Sequence, residues 1–218
     1  MKSFLTTILI LLVFNPTNFF SQRIGEVVPP EPPIDFPSKA SGISFNFSDN
    51  GFGFGGFYTS SFSRNLTGIT ELTISELKSE RELERYDYWG RPYVLNKVNR
   101  IFALPFTLGI KYRLFTDELA ENLRPYILAE VGPTLIIATK YHPDFFLSLT
   151  NPKYYKAVIG VLGFGGNFGL STTNLLGLSF RFRYIHLLET QGVETLKGIF
   201  KKDFAVFSLS LNIGWMFN

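Results

Sequence analysis

Two histidines, His142 and His186, and no cysteine are all that the chain offers for imidazole or thiolate chemistry. They lie far apart in sequence, so neither a histidine metal site nor a catalytic triad follows from local spacing. His142 belongs to His142-Pro143-Asp144, a turn-forming run that reads as solvated loop. His186 falls near the end of an alternating segment, in phase with its large apolar residues, with Glu189 three positions on. Gly51, Gly53 and Gly56 match the G-x-G-x-x-G spacing that cradles a pyrophosphate at the start of a helix. Phe52, Phe54 and Phe57 interleave them and no amphipathic helix follows, so these glycines read as relief of crowding in a narrow sheet. Gly163, Gly165 and Gly169 read the same way. No catalytic, cofactor-binding or metal-ligating set is assigned.

The charges carry more information. Glu71, Lys111, Arg113, Arg124, Glu130, Arg181 and Arg183 sit in the phase of small residues within strongly alternating segments. If the opposite phase faces lipid, these seven face a lumen, where an isolated charge is costly and pairing is expected. Measured from the short turns, Glu71, Lys111, Glu130 and Arg181 fall at similar depth, which predicts a structural cluster plugging the lumen. The alternative is a gated ion path, which the positive surplus would bias toward anions. Leu128, Ile159 and Val161 share the inward phase and could line an apolar route for a small lipophilic ligand.

The elements that must hold these residues are long strands. In Ile101 to Leu114, Phe102, Leu104, Phe106, Leu108, Ile110, Tyr112 and Leu114 alternate with Ala103, Thr107, Gly109, Lys111 and Arg113. Residues 176–184 and 204–217 repeat the pattern, with Phe207, Leu209, Leu211, Ile213, Trp215 and Phe217 opposing Ser208, Ser210, Asn212 and Gly214. A soluble barrel also alternates, but it puts the large residues inside and solvated charges outside. Length, small or glycine-rich opposite faces and terminal aromatics favour the inverted arrangement. Connections alternate short and long from residue 64 onward: 64–66, 79–97, 116–121, 141–154, 171–174 and 190–201. The segment 41–63 reads either as two strands around Asp49-Asn50-Gly51, making eight, or as one long bent strand. The long segment 79–91 is rich in Glu, Arg, Lys and Asp and reads as solvated loop. Tyr141 to Phe146 with Tyr154-Tyr155 make the next loop aromatic, suited to the lipid interface or to a partner.

The N-terminus reads as an export signal over residues 1–21: Lys2, then the apolar run Phe4 to Phe14, then Asn15-Pro16 and a cleavage near Ser21-Gln22. That run is too short to span a membrane, which takes roughly 20 apolar residues. Residues 22–40, with Pro29-Pro30, Pro32-Pro33 and Pro37, read as an extended periplasmic lead-in to a single domain over 41–218. Composition agrees. Aromatic residues make 17% of the 218 and charged residues only 18%, below the usual quarter for a soluble chain. A net charge of +3, scattered along the chain, gives no basis for nucleic-acid binding. The lack of cysteine removes disulfides, thiolate chemistry and a lipidated N-terminal cysteine.

From about Ser41 to Asn218 the sequence resembles the small eight-stranded bacterial outer-membrane β-barrel proteins. The likeness is carried by the export signal, the alternation, the loop asymmetry and the terminal Trp215-Met216-Phe217. The chain departs from that pattern in ending on Asn218 and in carrying Asn212 where a glycine is common. The resemblance implies an all-β transmembrane up-and-down barrel in the outer membrane, surrounded by its lipids and inserted by the barrel-assembly machinery. It carries no chemistry, because the fold hosts unrelated functions. The expected role is non-enzymatic: structural, adhesive or partner-binding through outer loops, with an extracellular or periplasmic protein partner unidentified. The alternatives are a narrow channel or transporter for small ions or lipophilic ligands, and a lipid A-modifying barrel enzyme. His186 with Glu189 at an outer strand end resembles the lipid A deacylases, but no serine stands two residues after His186.

Overall fold

The computed structural model describes residues 37–49, 51–78, 82, 84–86, 88–90, 92–115, 123–141, 152–168 and 173–218. The expected export signal and nearly all of the lead-in lie outside them. The described strands are β1 (Lys39–Ser48), β2 (Gly51–Ser61), β3 (Leu66–Leu77), β4 (Glu84–Tyr86), β5 (Pro92–Val94) and β6 (Asn99–Arg113). They continue with β7 (Leu123–Lys140), β8 (Lys153–Phe168), β9 (Asn174–Leu187), β10 (Val193–Leu196), β11 (Ile199–Lys201) and β12 (Asp203–Phe217). Eight of them close an antiparallel barrel in the order β1-β12-β9-β8-β7-β6-β3-β2. Closure joins β1 to β12, from Lys39 opposite Phe217 to Ser48 opposite Ser208. A closed ladder leaves no strand edge, so every barrel strand can satisfy its backbone inside an apolar medium.

The segment 41–63 therefore holds two strands and the count is eight. Gly51, at φ 127, takes the left-handed conformation that lets the chain reverse between β1 and β2. The first strand begins two residues before the expected boundary at 41. Lys39 and Ala40 pair with Phe217 and Met216 on one side and with Ser60 and Thr59 on the other, so the lead-in ends at Ser38. Ser38 N–H also donates to Oδ1 of Asn218 at 3.2 Å, which sets both ends of the barrel chain at one mouth, here the terminal end.

The two faces are inverted relative to a soluble protein. On β12, Phe207 is 69% exposed and its neighbour Ser208 only 5%. The same reversal runs around the wall, with Phe54, Leu108, Val131, Leu162 and Phe180 outward and Asn46, Glu71, Thr107, Glu130 and Ser210 buried inward. Large outward residues form an apolar belt, bounded at the terminal end by Tyr58, Tyr112, Trp215 and Phe217. Tyr58 and Phe217 hold their rings 6.4 Å apart there. About ten residues of tilted strand cross a bilayer core, so β7 with 18 residues and β8 with 16 project beyond it.

The opposite, loop end carries the long connections, and two of them contain hairpins. β10 and β11 fold back over the mouth: Val98 N–H donates to the Thr195 carbonyl at 3.1 Å, Lys197 N–H to Asn96 at 2.9 Å, and Asn99 Nδ2 to Glu194 at 2.8 Å. Val193 of this hairpin is buried in one cluster with Leu77, Ile101, Ile136, Ile159, Leu187 and Phe204. The connection between β3 and β6, expected to be merely solvated, carries the hairpin of β4 and β5. Its Glu82 forms a 2.7 Å ion pair with Lys97, both side chains being almost fully buried.

Candidate functional site

The lumen has three layers from the loop end to the terminal end, and the inward charges occupy the lower two. In the middle layer Arg181 on β9 donates from NH1 to Oε2 of Glu71 on β3 at 2.6 Å. β9 and β3 stand four strands apart in either direction around the ring, so this ion pair is a strut across the full lumen. NH1 of Arg181 also lies 3.8 Å from Oε1 of Glu130. Glu130 accepts from Thr107 Oγ1 at 2.6 Å. The second oxygen of Glu71 accepts from Ser44 at 3.1 Å and lies 3.9 Å from NH2 of Arg183. Arg183 in turn donates to Asn46 Oδ1 at 2.6 Å, which also takes a short hydrogen bond from Ser210. Two guanidiniums thus balance two carboxylates, the condition under which buried charges are tolerable.

Small residues make the space. Gly163 lies opposite Arg181 in the register. A Cβ there would come within 2.6 Å of the Phe180 carbonyl oxygen and 3.1 Å of Arg181 Cγ, so glycine is what lets the arginine stem leave the wall. A serine supplies one further acceptor, where Arg181 Nε donates to Ser179 at 3.1 Å. Gly51, Gly53 and Gly56 all belong to or open β2 and not the start of a helix. The expected crowding holds at Gly53, where a Cβ would lie 2.8 Å from Ser75 Cβ, but not at Gly51 or Gly56, where nothing lies closer than 3.7 Å.

Lys111, expected at the depth of Glu71 and Arg181, is not part of this cluster. Its ammonium rests 4.8 Å from the Tyr126 ring centroid and 5.9 Å from that of Phe57. It faces the terminal layer, a cavity of about 330 Å³ that it lines with Tyr126, Asn167, Arg113, Arg124 and Arg64. Leu128, Ile159 and Val161, the expected lining of an apolar route, are buried in one cluster that runs from Tyr126 beside the terminal cavity to the loop end, with Leu128 opposite Lys111 in the register. A gap of about 10 Å³ beside Ile159 and Arg183 has room for roughly one water.

At the loop-end rim, outside the belt, His186 Nδ1–H donates to Oδ1 of Asp203 at 2.6 Å. Tyr184 donates its hydroxyl to the same oxygen at 2.7 Å. These bonds, first that of His186 and then that of Tyr184, hold the Asp203 carboxyl below its ordinary range. Glu189, the partner that sequence spacing suggested, is replaced by a residue directly across the β9–β12 register. Among the described residues no serine or threonine hydroxyl hydrogen-bonds to His186. No group of three His, Cys, Asp or Glu side chains able to hold a metal occurs among the described residues. His142 and most of its aromatic loop fall outside them. Of the two tyrosines closing that loop, Tyr154 faces outward and Tyr155 packs against the loop-end cluster.

The feature that sequence reading passed over is the β4–β5 hairpin. Tyr86, Tyr88 and Trp89 at its tip are 68%, 96% and 78% exposed, with the Tyr88 and Trp89 rings edge to face at 5.9 Å. They were legible as three aromatics within four residues, masked by the acidic and basic residues around them.

Among solved structures, Neisserial surface protein A aligns with a TM-score of 0.50 and 12% identity, over 82% of this chain and 95% of that one. The fold is that of the small eight-stranded outer-membrane β-barrels. The N-terminal β-barrel domain of OprF from Pseudomonas aeruginosa is also similar, at a TM-score of 0.45 and 12% identity over 84% of this chain and 100% of that one. So is Ail, the attachment invasion locus protein of Yersinia pestis, at 0.44 and 13% over 84% and 100%. No protein-family model and no curated protein matches the sequence. At such identities the likeness concerns the small outer-membrane barrel as a fold, and the role has to be argued from the side chains.

Proposed function

We propose that this protein is an integral protein of the bacterial outer membrane, non-enzymatic, whose barrel is a closed anchor and whose outer loops bind a partner. The terminal end then faces the periplasm and the loop end the exterior. The observation that carries the reading is the β4–β5 hairpin, which holds Tyr86, Tyr88 and Trp89 in solvent at the loop end. Exposed tyrosine and tryptophan supply large contact area at small entropic cost and dominate recognition surfaces. A hairpin tip that had only to stay soluble would do better with charges. The hairpin is also anchored, through the buried Lys97–Glu82 pair, so the rings are presented on a held base.

The test has two arms. Cells displaying the wild-type chain and the triple variant Tyr86→Ser, Tyr88→Ser, Trp89→Ser are compared for autoaggregation and for attachment to epithelial monolayers. Matched surface amounts are confirmed by outer-membrane fractionation and by the gel shift between unboiled and boiled samples. Loss of attachment or aggregation in the variant alone supports the reading, and equal behaviour sinks it. Recovery of the wild-type chain as a soluble periplasmic protein would sink the membrane assignment as well.

A further inference from the structure

The layer of the lumen nearest the termini contains a buried positive charge that the rest of the interior does not balance. In the middle layer the two acids and two arginines cancel. Lys111 lies just beyond them, 5% exposed, close enough to act on Glu71 electrostatically yet without a carboxylate within 4.0 Å among the described residues. Its partners are the faces of Tyr126 and Phe57, which stabilise a cation but do not neutralise it. A buried ammonium without a counter-charge is among the more costly arrangements in a protein interior.

Beside it stands a second unmet group. Tyr126 is 3% exposed, and its hydroxyl has no hydrogen-bond partner among the described residues. Both residues line the terminal cavity of about 330 Å³, which is the lower end of the range for small-molecule sites. Asn167, whose amide can present either end, lines the same space, and Lys39 and Arg64 add charge at its mouth. Arg113 and Arg124 also line it, already engaged within the protein. No aspartate or glutamate lines the cavity among the described residues. Across from the cationic wall, Ala40, Leu175 and Met216 supply an apolar one.

We infer that this terminal cavity is a binding site for a small organic anion, a carboxylate or phosphate carried on an apolar body. The head group is held by the Lys111 ammonium and the Tyr126 hydroxyl, and the body lies against Ala40, Leu175 and Met216. The middle-layer strut closes the cavity behind it, so the ligand enters and leaves by the same mouth. This is a receptor pocket and not a conduction path.

The experiment is calorimetric titration of the purified, folded protein in detergent with phenyl phosphate and with benzoate, which share the apolar body and differ in the oxyanion. Benzyl alcohol supplies the body without the charge. The expected result is one-to-one binding of at least one anion, and the tighter head group identifies the class. Lys111→Met, which keeps the stem and removes the charge, should weaken binding about tenfold or more, the effect of losing one charge-assisted contact. Tyr126→Phe keeps the ring and should weaken it several-fold. Absence of binding by both anions to the folded wild-type protein, equal binding of benzyl alcohol, or an unchanged affinity in Lys111→Met would each overturn the proposal. Should Lys111→Met fail to fold, Tyr126→Phe decides, and an unchanged affinity there overturns it equally.

Discussion

At the loop end of the lumen Leu77, Ile101, Ile136, Ile159 and Phe204 pack against one another and the β10–β11 hairpin closes over them. At the terminal end the side chains stand back from a cavity of about 330 Å³ and are mostly polar or cationic. The same eight strands build both ends, with the same alternation, so the wall does not explain the difference. What differs is the inward phase. Branched aliphatic residues interdigitate and seal by burial, while arginine and lysine stems keep their heads apart by repulsion and leave room between them. One end of the lumen is packed like a small protein core and the other holds a polar, cationic cavity.

The sharpest way to break this comparison is to strike the layer between the two ends. Glu71→Gln removes the acid that meets both Arg181 and Arg183, leaving guanidinium charge buried. The expected loss is about 3 to 5 kcal/mol, read from urea unfolding in detergent. Glu130→Gln should cost less, since Glu130 holds Arg181 only at 3.8 Å. An unchanged midpoint for Glu71→Gln would mean that the middle layer is wet and that the strut does not carry the lumen.

The loop-end layer should respond as a core does. Ile136 is fully buried there, and Ile136→Ala should cost about 2 to 4 kcal/mol by opening a cavity among aliphatic neighbours. On the outer surface of the same wall, Leu108→Arg should cost about 2 to 4 kcal/mol near the bilayer midplane. Thr107→Arg, which the inward phase alone would make the milder change, should be comparably damaging. Thr107 is buried and bonded to Glu130 at 2.6 Å, so an arginine there is overpacked. Tolerance of Leu108→Arg would remove the inside-out assignment.

Conductance separates the layers by function. The wild-type protein should show no steady ion current in planar bilayers. Replacing residues 190–201 by a short turn should still give none, because the Glu71–Arg181 strut lies beneath the cap. Adding Glu71→Ala and Arg181→Ala to that deletion should still give none, because Leu77, Ile101, Ile136, Ile159 and Phe204 remain packed across the loop end. Current from the cap deletion alone would place the seal in the hairpin. The smallest effect is expected at the rim. Asp203 is exposed, so Asp203→Asn should lower the unfolding midpoint at neutral pH only slightly. Its lowered carboxyl adds any stability only above its unfolded value of 3.8, and that contribution fades as pH falls through the folded one. The small difference between variant and wild type should therefore be present at neutral pH and vanish in acid.

Much of this architecture was legible before any coordinates. Period-2 chemistry is local: whether Phe207 or Ser208 faces lipid depends only on which side of the strand each occupies. The strands, their faces, the eightfold count given a turn at Asp49-Asn50-Gly51, and the alternation of short and long connections all follow from residue order. The inward charges were also identifiable as a set, because arginine or glutamate in the small-residue phase has no other place to go.

Which member of that set meets which was decided only by the closed barrel. Arg181 and Glu71 are 110 residues apart and meet because closure puts β9 opposite β3. Lys111 drops out of the cluster because Tyr126 and Phe57 offer ring faces on its terminal side. His186 finds Asp203 across a register fixed by the whole ladder, and the β10–β11 hairpin finds the mouth by docking Val193 into a core that exists only after the strands have closed. Alternation is a property of neighbours along the chain, whereas pairing across a lumen depends on strand order, register and side-chain reach, which are properties of the ring.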